Sequence, residues 1–115
     1  MKNLKVIKVD SDFIEFENGV KLYSDHRQDC CEEHYLSFRD LTLSDFKNLQ
    51  FDLSNDDFFK RIENYGIELI PVAGWPIKVP GYGSNNGCYS SNLSLILTND
   101  KGFAKEYDIT ECQNY

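Results

Sequence analysis

The chain has 115 residues, with 12 Lys or Arg against 19 Asp or Glu, for a net charge of −7 at neutral pH. That length suits one domain, residues 1–115, around one core. A 41% hydrophobic composition with 8 Phe and 7 Tyr excludes a disordered acidic tail, and no apolar run approaches the ~20 residues of a membrane-crossing helix. Residues 4–9, rich in β-branched side chains, predict a first strand. The N-terminus alternates charged and apolar residues and has no secretory-type apolar stretch, so the expected location is the cytoplasm. Residues 13–17 predict a second strand and residues 20–23 a third, because the intervening Asn18-Gly19 favours the left-handed angles of a tight hairpin turn. Val20 and Leu22 would then share one face, with Lys21 and Tyr23 on the other. Residues 30–38 fit two readings. A helix would stack His26, Cys30 and His34 at i, i+4 and i+8. A strand lines His34, Leu36 and Phe38 on one face, with Cys30 and Glu32 continuing it, and the aromatic and apolar alternation favours the strand.

Helices are expected next. Thr42 caps a short one, with Asp45 three residues on and Leu43, Phe46 and Leu49 on a shared side. Ser54 opens a longer one in which Asp56 and Asp57 sit at the positive end of the helix dipole. Phe58, Ile62 and Tyr65 repeat at i, i+4 and i+7 as its buried stripe, and Gly66 stops it. Strands are predicted again at 67–72 and 75–79, the latter marked as an edge or irregular strand by Pro76 and Pro80. Residues 81–87 hold three of the seven glycines and predict a loop; strands at 92–98 and 103–109 close the chain. The expected architecture is α+β: a mainly antiparallel sheet with an N-terminal three-stranded meander and one or two short helices mid-chain.

Reactive side chains are densest at Asp25-His26-Arg27-Gln28-Asp29-Cys30-Cys31-Glu32-Glu33-His34. The pattern H-x-Q-D-C-C-E, carried by His26, Gln28, Asp29, Cys30, Cys31 and Glu32, resembles that of a family of small phage and bacterial proteins with no assigned activity. The likeness extends to Gly19-Val20-Lys21-Leu22-Tyr23 before the motif and to Asn86-Gly87-Cys88-Tyr89-Ser90 after it, while residues 40–80 diverge. The resemblance implies a shared fold and a phage or mobile-element origin, and implies no reaction.

Taken as chemistry, the cluster has three readings. His26, Cys30, Cys31 and His34 are all zinc-ligand types, but in a strand the adjacent cysteines point to opposite faces, and His34 stands where the similar family carries an apolar residue. Thiol catalysis, with Cys30 or Cys31 as nucleophile and His26 or His34 as base, meets Asp25, Asp29, Glu32 and Glu33, which disfavour a thiolate; Arg27 alone opposes them. The favoured reading is structural: His26, Gln28 and Asp29 satisfy backbone groups at a turn while a cysteine fills the core. The four cysteines, at 30, 31, 88 and 112, contain no C-x-x-C pair and are read as small buried hydrophobes. No phosphate-binding loop or nucleophile elbow occurs, so no cofactor and no catalysis are expected.

The charge is uneven. Residues 25–66 carry five cationic and ten acidic side chains, whereas residues 1–24 balance at four and four. Direct nucleic-acid binding needs basic surface and is disfavoured. An acidic face suits docking on a partner protein with a basic surface, and Asp52, Asp56 and Asp57 crowd together like a short run of phosphates. The expectation is a non-catalytic, acidic protein-binding domain of phage type, occupying the basic nucleic-acid site of a host defence enzyme. Asp29, Glu32, Glu33, Asp52, Asp56 and Asp57 would make the contacts, with Trp75, Tyr82 or Tyr89 as aromatic anchors. The alternatives are a small zinc domain built on His26, Cys30, Cys31 and His34, and a structural accessory protein.

Overall fold

The computed structural model describes residues 2–25, 33–84 and 93–114. They form nine strands: β1 (Val6–Val9), β2 (Phe13–Phe16), β3 (Lys21–Asp25), β4 (Glu33–Leu36), β5 (Phe59–Ile62), β6 (Gly66–Leu69), β7 (Ile77–Ser84), β8 (Ser94–Thr98) and β9 (Ala104–Asp108). One antiparallel sheet has five strands in the order β1-β2-β3-β8-β9, and a second has four in the order β4-β7-β6-β5.

The N-terminal meander is present as expected. Asn18 and Gly19 both take positive φ, 69° and 72°, although the pairing of Glu15 with Lys21 makes the loop longer than a two-residue hairpin turn. Alternation then sorts the side chains. Ile14 pairs with Leu22 and Leu22 with Leu97, and all three are fully buried. Val20 is buried beside Leu22, while Lys21 faces solvent. The second sheet contributes Leu36, Ile67, Leu69 and Val79 to the same hydrophobic core. The two sheets meet where Leu36 N–H donates to Ser24 Oγ of β3 (2.9 Å) and Phe38 N–H to the Ser11 carbonyl (3.1 Å). His34, Leu36 and Phe38 are all buried, as their strand alternation predicts.

The α+β expectation is overturned: no α-helix forms among the described residues, and the architecture is two antiparallel sheets. Thr42 and Asp45 do form a cap, Thr42 N–H donating to Asp45 Oδ2 at 2.8 Å. That cap opens only a single 3-10 turn, Leu43–Phe46, and Asn48 leaves it with φ 65°. The longer helix is replaced by a 3-10 turn, Asp56–Phe58, that runs straight into β5. Its cap is Asn55, whose side chain accepts from Asp57 N–H at 3.0 Å, and Ser54 instead donates to Asp52. A lone helix of that length is marginal, so tertiary pairing decides. Phe58 and Phe59 are adjacent and both buried, and pairing Phe59 with Leu69 and Arg61 with Ile67 builds a hairpin. Asn64 turns that hairpin at φ 62°. Gly66 is not a helix stop: a Cβ there would lie 2.0 Å from the Val79 carbonyl oxygen, so the β6–β7 approach requires glycine.

The predicted loop at 81–87 is likewise corrected over residues 81–84, because β7 continues to Ser84; its remaining residues, 85–87, lie outside the described residues. β7 lies between two neighbours but exchanges them midway: β6 pairs with its residues 77–80, and β4 with its residues 81–84. Pro80, lacking an N–H, sits at that exchange. Beyond β9 the chain returns across this point, with Asn114 N–H donating to the Gly81 carbonyl (2.8 Å) and Asn114 bridging Tyr82. Cys112 in this strap is a free, fully buried thiol, and burial pushes its pKa up. Among the described residues, no helix is long and apolar enough to cross a membrane.

Candidate functional site

Three of the acidic residues expected to make contacts lie in the segment between Phe51 and Phe58. Phe51 and Leu53 are fully buried, which turns the intervening Asp52 outward. Its Oδ1 accepts the Ser54 N–H at 3.1 Å and the Ser54 hydroxyl, and these bonds hold its carboxyl below the ordinary aspartate value. Asp56 and Asp57 come next on the 3-10 turn and diverge. Asp56 reaches across to β9, where its Oδ1 accepts from Tyr107 Oη (2.8 Å) and pairs with Lys105 Nζ (3.3 Å). The tyrosine hydrogen bond, then the lysine, lowers its pKa. Asp57 turns the other way and joins Asp52 and Asn55 in a cleft of ≈ 250 Å³.

The rest of that cleft's lining is apolar, formed by Phe58, Ile70, Pro71 and Val72. Backbone bonds fix its width: Ile70 N–H donates to the Phe58 carbonyl (2.8 Å) and Val72 N–H to the Gln50 carbonyl (2.7 Å). Val72 is 59% exposed, and Trp75, three residues on, is 85% exposed. A tryptophan in water is uncommon for a side chain of that apolar area, and aromatic anchors of this kind dominate many protein interfaces. The cleft therefore offers the carboxyl groups of Asp52 and Asp57 beside exposed apolar surface.

The structure divides the other predicted contact residues. Glu33 lies on β4, at the opposite edge of the four-stranded sheet from β5. Asp29 and Glu32 lie outside the described residues, as do His26, Cys30, Cys31, Cys88 and Tyr89. Of the zinc-ligand candidates only His34 is described. It is buried in β4 with Nδ1 against Gln113 Oε1, and Gln113 Nε2 donates to the Thr110 carbonyl at 2.8 Å. That second bond orients the amide so that its oxygen faces the imidazole, which makes Nδ1 the donor. Among the described residues no group of three or more His, Cys, Asp or Glu could hold a metal ion. Asn55 and Val72 were not singled out from the sequence. Asn55 carries a turn signal of its own, whereas nothing local marks Val72 as a cleft wall.

Compared with family models, curated proteins and solved structures, the chain matches none.

Proposed function

We propose that this protein is a non-catalytic binding domain that docks its acidic cleft onto a basic surface of a partner protein. The partner's basic surface is the nucleic-acid-binding site of a host enzyme, in keeping with the phage-type motif at residues 26–32. The observation that supports this reading is the convergence of Asp52 and Asp57 on a cleft lined also by the exposed Val72, with the exposed Trp75 three residues further along the chain. Carboxylates mimic the phosphates that a basic groove is shaped to receive, and complementary charge speeds encounter and fixes orientation. The tryptophan supplies apolar contact that charge alone lacks.

Affinity capture from host lysate, at low and at high salt, tests it with the wild type, Asp57→Lys and Trp75→Ala. A specific partner should be retained by the wild type at low salt, and Asp57→Lys should weaken that capture by about tenfold or more. Asp57 is exposed, so its reversal leaves the core intact, and matching thermal melts verify this. Equal capture of the same partner by wild type and Asp57→Lys would remove the proposal.

A further inference from the structure

A second groove, of ≈ 600 Å³, lies beside β1 and is separate from the acidic cleft. Its floor includes Val6 and Phe46, both buried, with Ile7 and Leu43 at 49% and 50% exposure. The charged residues lining it are Lys5 and Lys47. β1 is an outer strand of the five-stranded sheet. At Leu4 its outer side is sealed, since the Leu4 N–H and carbonyl exchange bonds with Phe51 (3.0 and 2.8 Å). Past that point β1 packs beside the Leu43–Phe46 turn, not another strand. The register with β2 shifts between Val6 and Lys8, which makes Ile7 the extra residue of a β-bulge. Bulges commonly re-aim a side chain, and here Ile7 joins Leu43 in leaving large apolar surface unburied in one groove.

We propose that this groove docks an extended segment of a partner protein in which acidic residues alternate with apolar ones, laid along β1. The charge selects that occupant. In a chain of net charge −7, two lysines flank an apolar floor, and an alternating segment sets its apolar side chains on Ile7 and Leu43 while its carboxylates meet Lys5 and Lys47. A second copy of this chain is disfavoured at the same edge, because pairing β1 with β1 brings the lysines at positions 5 and 8 of each copy together. The protein thus presents two separate docking surfaces of opposite preference.

A display library of short random peptides, selected against the purified protein, tests the inference. Enriched sequences should alternate Asp or Glu with Ile, Leu or Val. A fluorescent copy of the best should lose about tenfold in affinity to Lys47→Glu and, independently, to Lys5→Glu, with thermal melts unchanged. Leu43→Asp should weaken it as well. Asp57→Lys, which disables the acidic cleft, should leave peptide binding as it was, so this surface and the proposed function fail separately. No enrichment, enrichment of basic peptides, or equal binding by the Lys47→Glu variant would overturn the inference. So would a homodimer in sedimentation that Lys47→Glu dissociates, since the occupant would then be a second copy.

Discussion

In the five-stranded sheet, β3 and β8 pair at five consecutive positions, from Lys21 with Thr98 to Asp25 with Ser94, and β8 and β9 pair at five more. In the four-stranded sheet, β7 keeps no such continuous partner on either side: it passes from β6 to β4 at Pro80, and the space beyond β6 is taken by the C-terminal strap. The first sheet is held by apolar side chains that alternate onto a common core. The second depends in addition on backbones that come unusually close, at Gly66 against Val79 and at Gly81 against Cys112. Side-chain burial is distributed and degrades by degrees, whereas a close backbone approach either fits or does not. The acidic cleft is built on the turns that feed this second sheet, so its geometry derives from the less forgiving half of the molecule.

Two substitutions test that contrast. Leu22 is fully buried between Ile14 and Leu97, and Leu22→Ala should destabilise the whole domain by about 4 kcal/mol, through lost transfer free energy and the cavity left behind. Chemical denaturation followed by circular dichroism measures it. Gly81→Ala should cost somewhat less, about 3 kcal/mol, because its Cβ would sit 2.4 Å from the Cys112 carbonyl oxygen and push the strap away. Its signature is uneven: amide exchange at Gly81 and Asn114 should accelerate well beyond that of the β3–β8 amides, which lose only the protection that the drop in global stability removes. Uniform acceleration across both sheets in Gly81→Ala would erase the distinction between them.

The same contrast explains what was legible in the sequence. The meander was readable because alternation, β-branched residues and Asn18-Gly19 all act within a few residues of one another. The stretch 54–66 was misread because two periods share its residues. Phe58, Ile62 and Tyr65 mark a helical stripe, while Phe59 and Arg61 mark a strand face, and only pairing with Ile67 and Leu69 favours the strand. Residues 81–84 looked like a loop because glycine is a turn signal; at Gly81 it serves a close approach to Cys112, 31 positions along the chain. The site was half legible. Crowding of Asp52, Asp56 and Asp57 is plain in the sequence, but the departure of Asp56 from the cleft is decided by Tyr107, 51 positions away. The cleft's apolar wall comes from residues that strand alternation alone would not place.

The smallest expected effect concerns the link between the sheets. Tyr107 of β9 packs its ring on Phe59 of β5 (centroids 5.0 Å apart) and on Phe58 (5.8 Å), and its hydroxyl donates to Asp56. Burial first, and the Asp56 carboxylate second, push the phenol above its ordinary range, while the same hydrogen bond holds Asp56 below its own. Linkage fixes the signs. Asp56, with its folded value lowered, contributes stability above its unfolded pKa of about 3.9 and loses it as pH falls through the folded value. Tyr107, with its folded value raised, contributes fully below its unfolded pKa of about 10 and loses that contribution as pH rises through the folded value. Asp56→Asn should therefore raise the acid-unfolding midpoint, and only slightly, because the carboxylate is 74% exposed and solvent screens it. It should also bring the Tyr107 ionisation, followed by ultraviolet absorbance, to lower pH; burial, which remains, keeps that phenol above its ordinary range. Tyr107→Phe retains the ring packing and should reproduce the acid-side change while deleting that ionisation. If Asp56→Asn left both titrations where they are in the wild type, Asp56 would not be engaged with β9, and all three central aspartates would be available to the cleft.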